Sequence, residues 1–333
     1  MIGKKTRVLI ALFFLSTPAT GAGNVTVENF RRAETHYYMQ ARADAGCFGK
    51  LCSERGPMPV DKQEVIRLNR DTPYTAGVFD LTSPATIAMP KTNGRFQSLV
   101  VINEDHFIKL VSYKPGDYTL NMKNIGTRYA YVIIRTFMDP NSAADVEKTH
   151  KLQDEIKVRQ ANVGKLELPE WDQAQRQKLH DALLVLGPFQ PDSHASFGDI
   201  KEVDPVKHLI ATAVGWGGNR EQDAIYLNVT PKENNGRQAY SLRVKDTPVD
   251  GFWSITVYNE KGFYEAPENA ISVNNLTARK EEDGSVVINF GGDPGLKNYL
   301  RIMPGWNYIV RLYRPHPEII NGKWTFPEAV AKH

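Results

Sequence analysis

Phe252-Trp-Ser-Ile-Thr-Val-Tyr258 and Tyr308-Ile-Val-Arg-Leu-Tyr313 are the two runs whose reading decides the fold, and both lie in the stretch from Asp250 to Arg314. They are rich in β-branched and aromatic residues, which suit a pleated, half-buried surface. Between them stand Asn274-Asn275, Asp283-Gly284 and Gly291-Gly-Asp-Pro-Gly295, the chemistry of turns. On the first strand Trp253, Ile255 and Val257 share one face, and Ser254, Thr256 and Tyr258 share the other. The pattern predicts a sheet with one apolar side and one side carrying hydroxyls.

Working outward, Ala224–Thr230 reads as a further strand of this C-terminal unit, which begins near residue 220 and runs to the end of the chain. Upstream, residues 141–219 read as a helical connector. Trp171, Ala174, Leu179, Ala182, Leu183 and Leu186 form an apolar stripe, and Asp204-Pro205 opens a helix that stops at Gly215-Trp-Gly-Gly218. Residues 65–140 carry short strands, clearest at 76–81, 95–102, 107–112 and 129–135, separated by turn clusters, as in an antiparallel sandwich. Before them, residues 23–64 hold a helix that Thr26 is placed to cap, ended by Gly46, and then a cysteine loop.

The chain of 333 residues allows about two domains of roughly 100–200 residues each. It opens with Lys4, Lys5 and Arg7, then Val8-Leu-Ile-Ala-Leu-Phe-Phe-Leu15, then small residues through Ala22. That is the pattern of a secretory signal peptide over residues 1–22, cleaved near Ala22, and the apolar run is shorter than the roughly 20 residues a membrane span needs. Removing it takes away three of 41 basic residues and none of 38 acidic ones, so the formal charge of +3 falls to zero. No basic block remains for nucleic acid. Cys47 and Cys52 are the only cysteines. In an oxidising compartment, periplasmic or extracellular, they are expected to pair.

Several signatures are missing: no Gly-x-Ser-x-Gly elbow, no phosphate-binding glycine loop, and no His-x-x-x-His. Three constellations remain. In Asn69-Arg70-Asp71-Thr72-Pro73-Tyr74 an arginine beside a carboxylate either orients it for chemistry or closes a turn. In Asn103-Glu104-Asp105-His106 a carboxylate and an imidazole are material for acid–base work or a divalent metal, or else a polar hairpin end. Trp216, Asn219, Trp253, Tyr258 and Trp306 offer indole faces and amides to a polar ligand, or are core pieces. Arg311 is placed to take a carboxylate, or to pair with acidic neighbours.

Asn69-Arg-Asp-Thr72, Trp216-Gly-Gly-Asn219, Val249-Asp-Gly-Phe-Trp-Ser254 with Val257-Tyr-Asn259, and Pro304-Gly-Trp-Asn307 followed by Arg311-Leu-Tyr-Arg-Pro315 together resemble a bacterial family. It pairs the domain of unknown function 1254 with the domain of unknown function 1214, and the resemblance runs from about residue 27 to about 328. It implies a mainly β chain with α connectors: an immunoglobulin-like sandwich, a helical connector and a jelly-roll-like sandwich. It implies an exported bacterial protein and brings no established catalytic residues.

The reading that follows is an exported protein binding a small polar or carboxylated ligand in a cleft between two sandwiches. Arg70, Tyr74, Trp216, Asn219, Trp253, Tyr258, Trp306 and Arg311 are its candidate ligand residues. The alternatives are a hydrolase using Asp71, Glu104 and His106, and an envelope structural or assembly protein. No cofactor is expected beyond an optional divalent metal, and a homo-oligomer stays open.

Overall fold

The computed structural model describes residues 22–63, 66–190, 192–265 and 267–332. The expected signal segment, up to residue 21, lies outside the described residues. In chain order the first part comprises α1 (Phe30–Asp44), β1 (Cys52–Ser53), β2 (Tyr74–Asp80), β3 (Ala85–Met89), β4 (Gln97–Asn103), β5 (Ile108–Ser112), β6 (Gly116–Leu120), α2 (Met122–Ile125) and β7 (Tyr129–Thr136). The middle supplies α3 (Ala143–Glu155), β8 (Lys157–Gln160), α4 (Gln173–Leu186) and α5 (Pro205–Val214). The last part comprises β9 (Ala224–Val229), β10 (Tyr240–Val244), β11 (Trp253–Tyr258), β12 (Ser272–Asn274), β13 (Val286–Phe290), β14 (Tyr299–Leu300), β15 (Asn307–Tyr313), α6 (Pro317–Ile320) and β16 (Val330–Ala331).

The fold is mainly β, two sandwiches with helices between them. In the first, a five-stranded sheet ordered β1-β2-β7-β4-β5 faces a three-stranded sheet ordered β6-β3-β8. Phe79, Leu99, Val101, Val132 and Ile134 meet Ile87, Met89 and Leu120 between them. β8 pairs with β3, so this sandwich takes a strand from beyond residue 140, where the connector was expected to begin. The other face of the five-stranded sheet is also covered. Val78, Val100, Ile102, Tyr131 and Ile133 pack under Met39 of α1 and under Trp216 and Phe197 of the connector. Burial on both faces is why β4 and β7 read as unbroken apolar runs instead of alternating.

α1, α4 and α5 join through Phe30, Ala33, Leu183, Ile210 and Ala213. Asp204 caps α5 as its sequence suggests, accepting from the Val206 and Lys207 amides. Thr26 does not cap α1. The helix starts at Phe30, behind Asn29, and the Thr26 amide donates to the Asn29 side chain instead. The Cys47–Cys52 disulfide forms and ties the end of α1 to β1.

The second sandwich stacks β12-β11-β15-β9 on β14-β13-β10-β16. Trp253, Ile255, Val257, Tyr308, Val310 and Leu312 meet Leu242, Ile288 and Phe290 between them. The hydroxyl-bearing face of β11 exists as read, but it is as buried as the apolar one. It is turned toward the first sandwich, and that junction holds the candidate site.

Candidate functional site

Register across the second sandwich lines up four polar side chains. Asn274 of β12 pairs with Ser254 of β11, Ser254 with Arg311 of β15, and Arg311 with Tyr226 of β9. Residues paired across neighbouring strands point to the same face, so the four form one transverse row. The first sandwich answers with Arg135, which pairs with Tyr74 on β2 and with Ser98 on β4. The loop before β2 contributes Arg70 and Asp71.

Each member is held by its neighbours. Asn274 Nδ2 donates to Asp71 Oδ1 at 3.3 Å. Arg311 donates to Thr256 Oγ1, to the Tyr258 hydroxyl and to the Arg67 carbonyl. Arg135 donates to Asn219 Oδ1 and the Gly217 carbonyl, with its guanidinium 5.0 Å above the Tyr74 ring. Asn219 Nδ2 donates to the Tyr226 hydroxyl. Asn69 closes the turn before Asp71 by accepting from the Asp71 amide, and its Nδ2 donates to the Tyr313 hydroxyl.

The electrostatics of this layer are unbalanced. The guanidiniums of Arg70, Arg135 and Arg311 are buried, and Asp71 is the carboxylate buried with them. Asp223, buried close by, is already taken by Arg220 and Tyr113. Arg70, with 1% of its side chain exposed, reaches among the described carboxylates only the largely exposed Glu268 at 3.5 Å, long for a hydrogen bond, and stacks over Tyr264. Among the described residues its Nε and Nη1 have no partner, nor do Asp71 Oδ2 and Ser254 Oγ. Burial raises the Asp71 pKa. Ser254, Arg311, Asn274 and Arg70 oppose that rise without cancelling it, and Ser254 is near Asp71 but out of hydrogen-bond geometry. Burial also lifts the Tyr313 pKa well above the phenol range. Buried charges are ordinarily paired and hydrogen-bonded because desolvating them is costly; here guanidinium outnumbers carboxylate and carries open donors.

The Glu104–His106 stretch is not an exposed hairpin end. It is the β4–β5 turn, roofed by α1 and α5, and its groups are spoken for. Asn103 Oδ1 accepts the Asp105 and Phe107 amides, and His106 takes the left-handed conformation at φ 66°. The His106 ring stacks between His208 and Trp216. Its Nε2 accepts the Gly217 amide, so its Nδ1 carries the proton and donates to Thr212 Oγ1. Burial, with His208 and Arg31 nearby, holds its pKa well below the usual range. Burial works against the Glu104 charge, but His36 and the Tyr129 amide outweigh it and lower that pKa.

The connector links this turn to the junction. Gly217 gives its amide to His106 and its carbonyl to Arg135. Gly217 sits at φ 78°, and a Cβ on Gly218 would come within 2.7 Å of three Phe197 ring atoms. The Gly-Gly pair is what lets the segment pass.

The structure therefore brings Arg70, Asp71, Tyr74, Asn219, Tyr258 and Arg311 into one layer. It holds Glu104, His106 and Trp216 on the helix-covered face, where Trp216 stacks on Tyr38 and donates to Thr35 Oγ1. Trp253 and Trp306 do not face the junction; they fill the core of the second sandwich. Among the described residues no hydrogen bond or ion pair joins Asp71, Glu104 and His106, and no metal-holding group of three His, Cys, Asp or Glu side chains occurs. Arg135, Tyr226, Ser254, Asn274 and Tyr313 join the site beyond the sequence-read set. Arg135 had a visible signal, a charge ending the apolar run Tyr129–Ile134.

No curated protein matches this chain. The fold is shared with the VPA0106 protein from Vibrio parahaemolyticus, at TM-score 0.71 and 14% identity over 92% of this chain and 98% of that one. A putative uncharacterized protein from Burkholderia cenocepacia is similar at TM-score 0.52 and 12% identity, over 92% and 88% of the two chains. Residues 225–317, which hold the whole transverse row, match the family described as a protein of unknown function, DUF1214.

Proposed function

We propose that this chain is an exported binding protein that takes a small carboxylated ligand at the junction of its two sandwiches. The observation that carries the reading is the excess of buried guanidinium over buried carboxylate in this layer, with Arg70 Nε and Nη1 unpartnered among the described residues. A carboxylate is the planar, two-oxygen acceptor that a guanidinium fork fits. Tyr264, whose ring lies 5.0 Å from the Arg70 guanidinium, also lines an open depression of about 480 Å³ with Gln63, Asn259 and Phe263. Access runs through that depression once the Tyr264 ring turns aside. The N-terminal half is the 1254-type partner of the matched domain. Residues 1–22 direct export and are removed near Ala22; the Cys47–Cys52 disulfide fits an oxidising compartment. Among the described residues, no helix is long and apolar enough to cross a membrane.

The test is titration calorimetry with mono- and dicarboxylic acids of two to six carbons, their uncharged amides, and the Arg70→Met variant. Binding of an acid but not its amide, lost in Arg70→Met, is the expected result. Equal response to acid and amide, or full binding by Arg70→Met, refutes the reading.

A further inference from the structure

A second feature lies along the free edge of β9. This strand is the edge of its sheet. Five consecutive residues, Ile225 to Val229, line a groove of about 1030 Å³, so the groove runs along the strand's backbone and not merely past its side chains. Apart from pairing with β15, the only backbone bond from β9 among the described residues is from the Ala224 amide to the Arg220 carbonyl. Edge strands are normally protected by a charge, a proline or a cover. Ala224-Ile-Tyr-Leu-Asn-Val229 has neither charge nor proline.

The floor is apolar, with Phe197, Val214, Leu312, Trp324 and Phe326 among its lining. The apolar surface continues past the groove at the end of α4. Val185, Leu186 and Phe189 are 68%, 47% and 81% exposed, next to Gly187 and Gln190 of the lining. A floor that extends onto an exposed patch exceeds what a small ligand covers. Among the described residues no Lys or Arg lines the groove, whereas Asp192, Glu221 and Glu328 do. Lys207 bridges Asp192 at 2.7 Å, so the acidic character rests on Glu328 and on Glu221, whose one charged-type neighbour among the described residues is the His194 ring at 2.6 Å.

We infer that the β9 groove docks an extended segment of another polypeptide, apolar in the middle and basic at its flanks, as an added strand. Backbone pairing supplies affinity in this mode and the apolar floor takes alternate side chains. Electrostatics select the partner. A second copy of this chain docked about a twofold axis would set the Glu221 and Glu328 carboxylates of one copy toward those of the other, which disfavours it.

The test uses a fluorescent nonapeptide of alternating valine and threonine with two lysines at each end. Its controls are the same peptide N-methylated at alternate residues and one flanked by glutamates. The lysine peptide is expected to bind roughly tenfold or more tighter than either control, to protect amides of 225–229 in hydrogen exchange, and to lose that advantage over the glutamate peptide when Glu221→Lys and Glu328→Lys are combined. Thermal midpoints of the variant check that it folds. No peptide binding, equal binding of the N-methylated peptide (an amphiphile groove), or a dimer of the protein alone that protects 225–229 (a second copy) each overturns the inference.

Discussion

The two ends of β2 treat a buried carboxylate in opposite ways. Asp80, its last residue, accepts from the Thr82 amide, from Arg128 Nε and Nη2, and from the Lys165 amide. Burial works against that charge, but these donors outweigh it and bring the pKa down to about 2. Asp71, three residues before the strand, has among the described residues one side-chain donor to Oδ1 and none to Oδ2, and a raised pKa. Both are almost fully buried. Asp80 is a corner of the scaffold, whereas the Asp71 end keeps hydrogen-bonding capacity that folding does not use.

Removing fully paired groups should cost the most. His106→Ala deletes a buried, stacked ring bonded at both nitrogens, and should lower unfolding free energy by about 3 kcal/mol. It also frees Gly217 and Arg135, so carboxylate affinity should weaken with it; unchanged denaturant midpoints would break the distinction between the two regions. Asp80→Asn comes next, at about 2 kcal/mol near pH 7 for a depression of about two pKa units. A carboxylate with a lowered folded pKa stabilises above its unfolded value and loses that contribution as pH falls. The wild type should therefore weaken from about pH 4 toward pH 2, and the variant's acid limb should be flatter over that window.

Asp71→Asn should move the other way. A raised folded pKa means stability that is present in acid and lost as pH rises through that pKa. The variant should thus be more stable than the wild type at pH 7, with the gap closing below about pH 4. A destabilised variant at pH 7 would show that Asp71 is a scaffold group after all. The smallest effect on ligand titrations, none, is expected from Trp306→Phe, because Trp306 fills the core of the second sandwich. Its indole N–H has no acceptor among the described residues, so the stability cost of about 1–2 kcal/mol comes from the space the smaller ring leaves.

What the sequence made legible was mostly periodic. The alternation in Phe252–Tyr258 separated the faces of β11 correctly, the Asp204-Pro205 cap placed α5, and two lone cysteines in a chain expected to reach an oxidising compartment suggested the Cys47–Cys52 bond. The turn residues of 103–106 were visible, but their burial was not, because the roof over them comes from α1 and α5, far away in the chain. The same limit hid the site. Asn274 reads as a turn residue and Tyr226 as one more strand aromatic until register sets them in one row. The tryptophans misled because an indole suits a core as well as a binding face. β8 escaped notice since Lys157–Gln160 is short, polar and paired with a strand about 70 residues upstream.

The most direct test of the central claim is denaturant unfolding of the wild type and Arg70→Met, each with and without the tightest-binding carboxylate at about 100 times its dissociation constant. The account expects about 2.7 kcal/mol of stabilisation in the wild type and none in the variant. The same stabilisation in both proteins, or none in either, would contradict it.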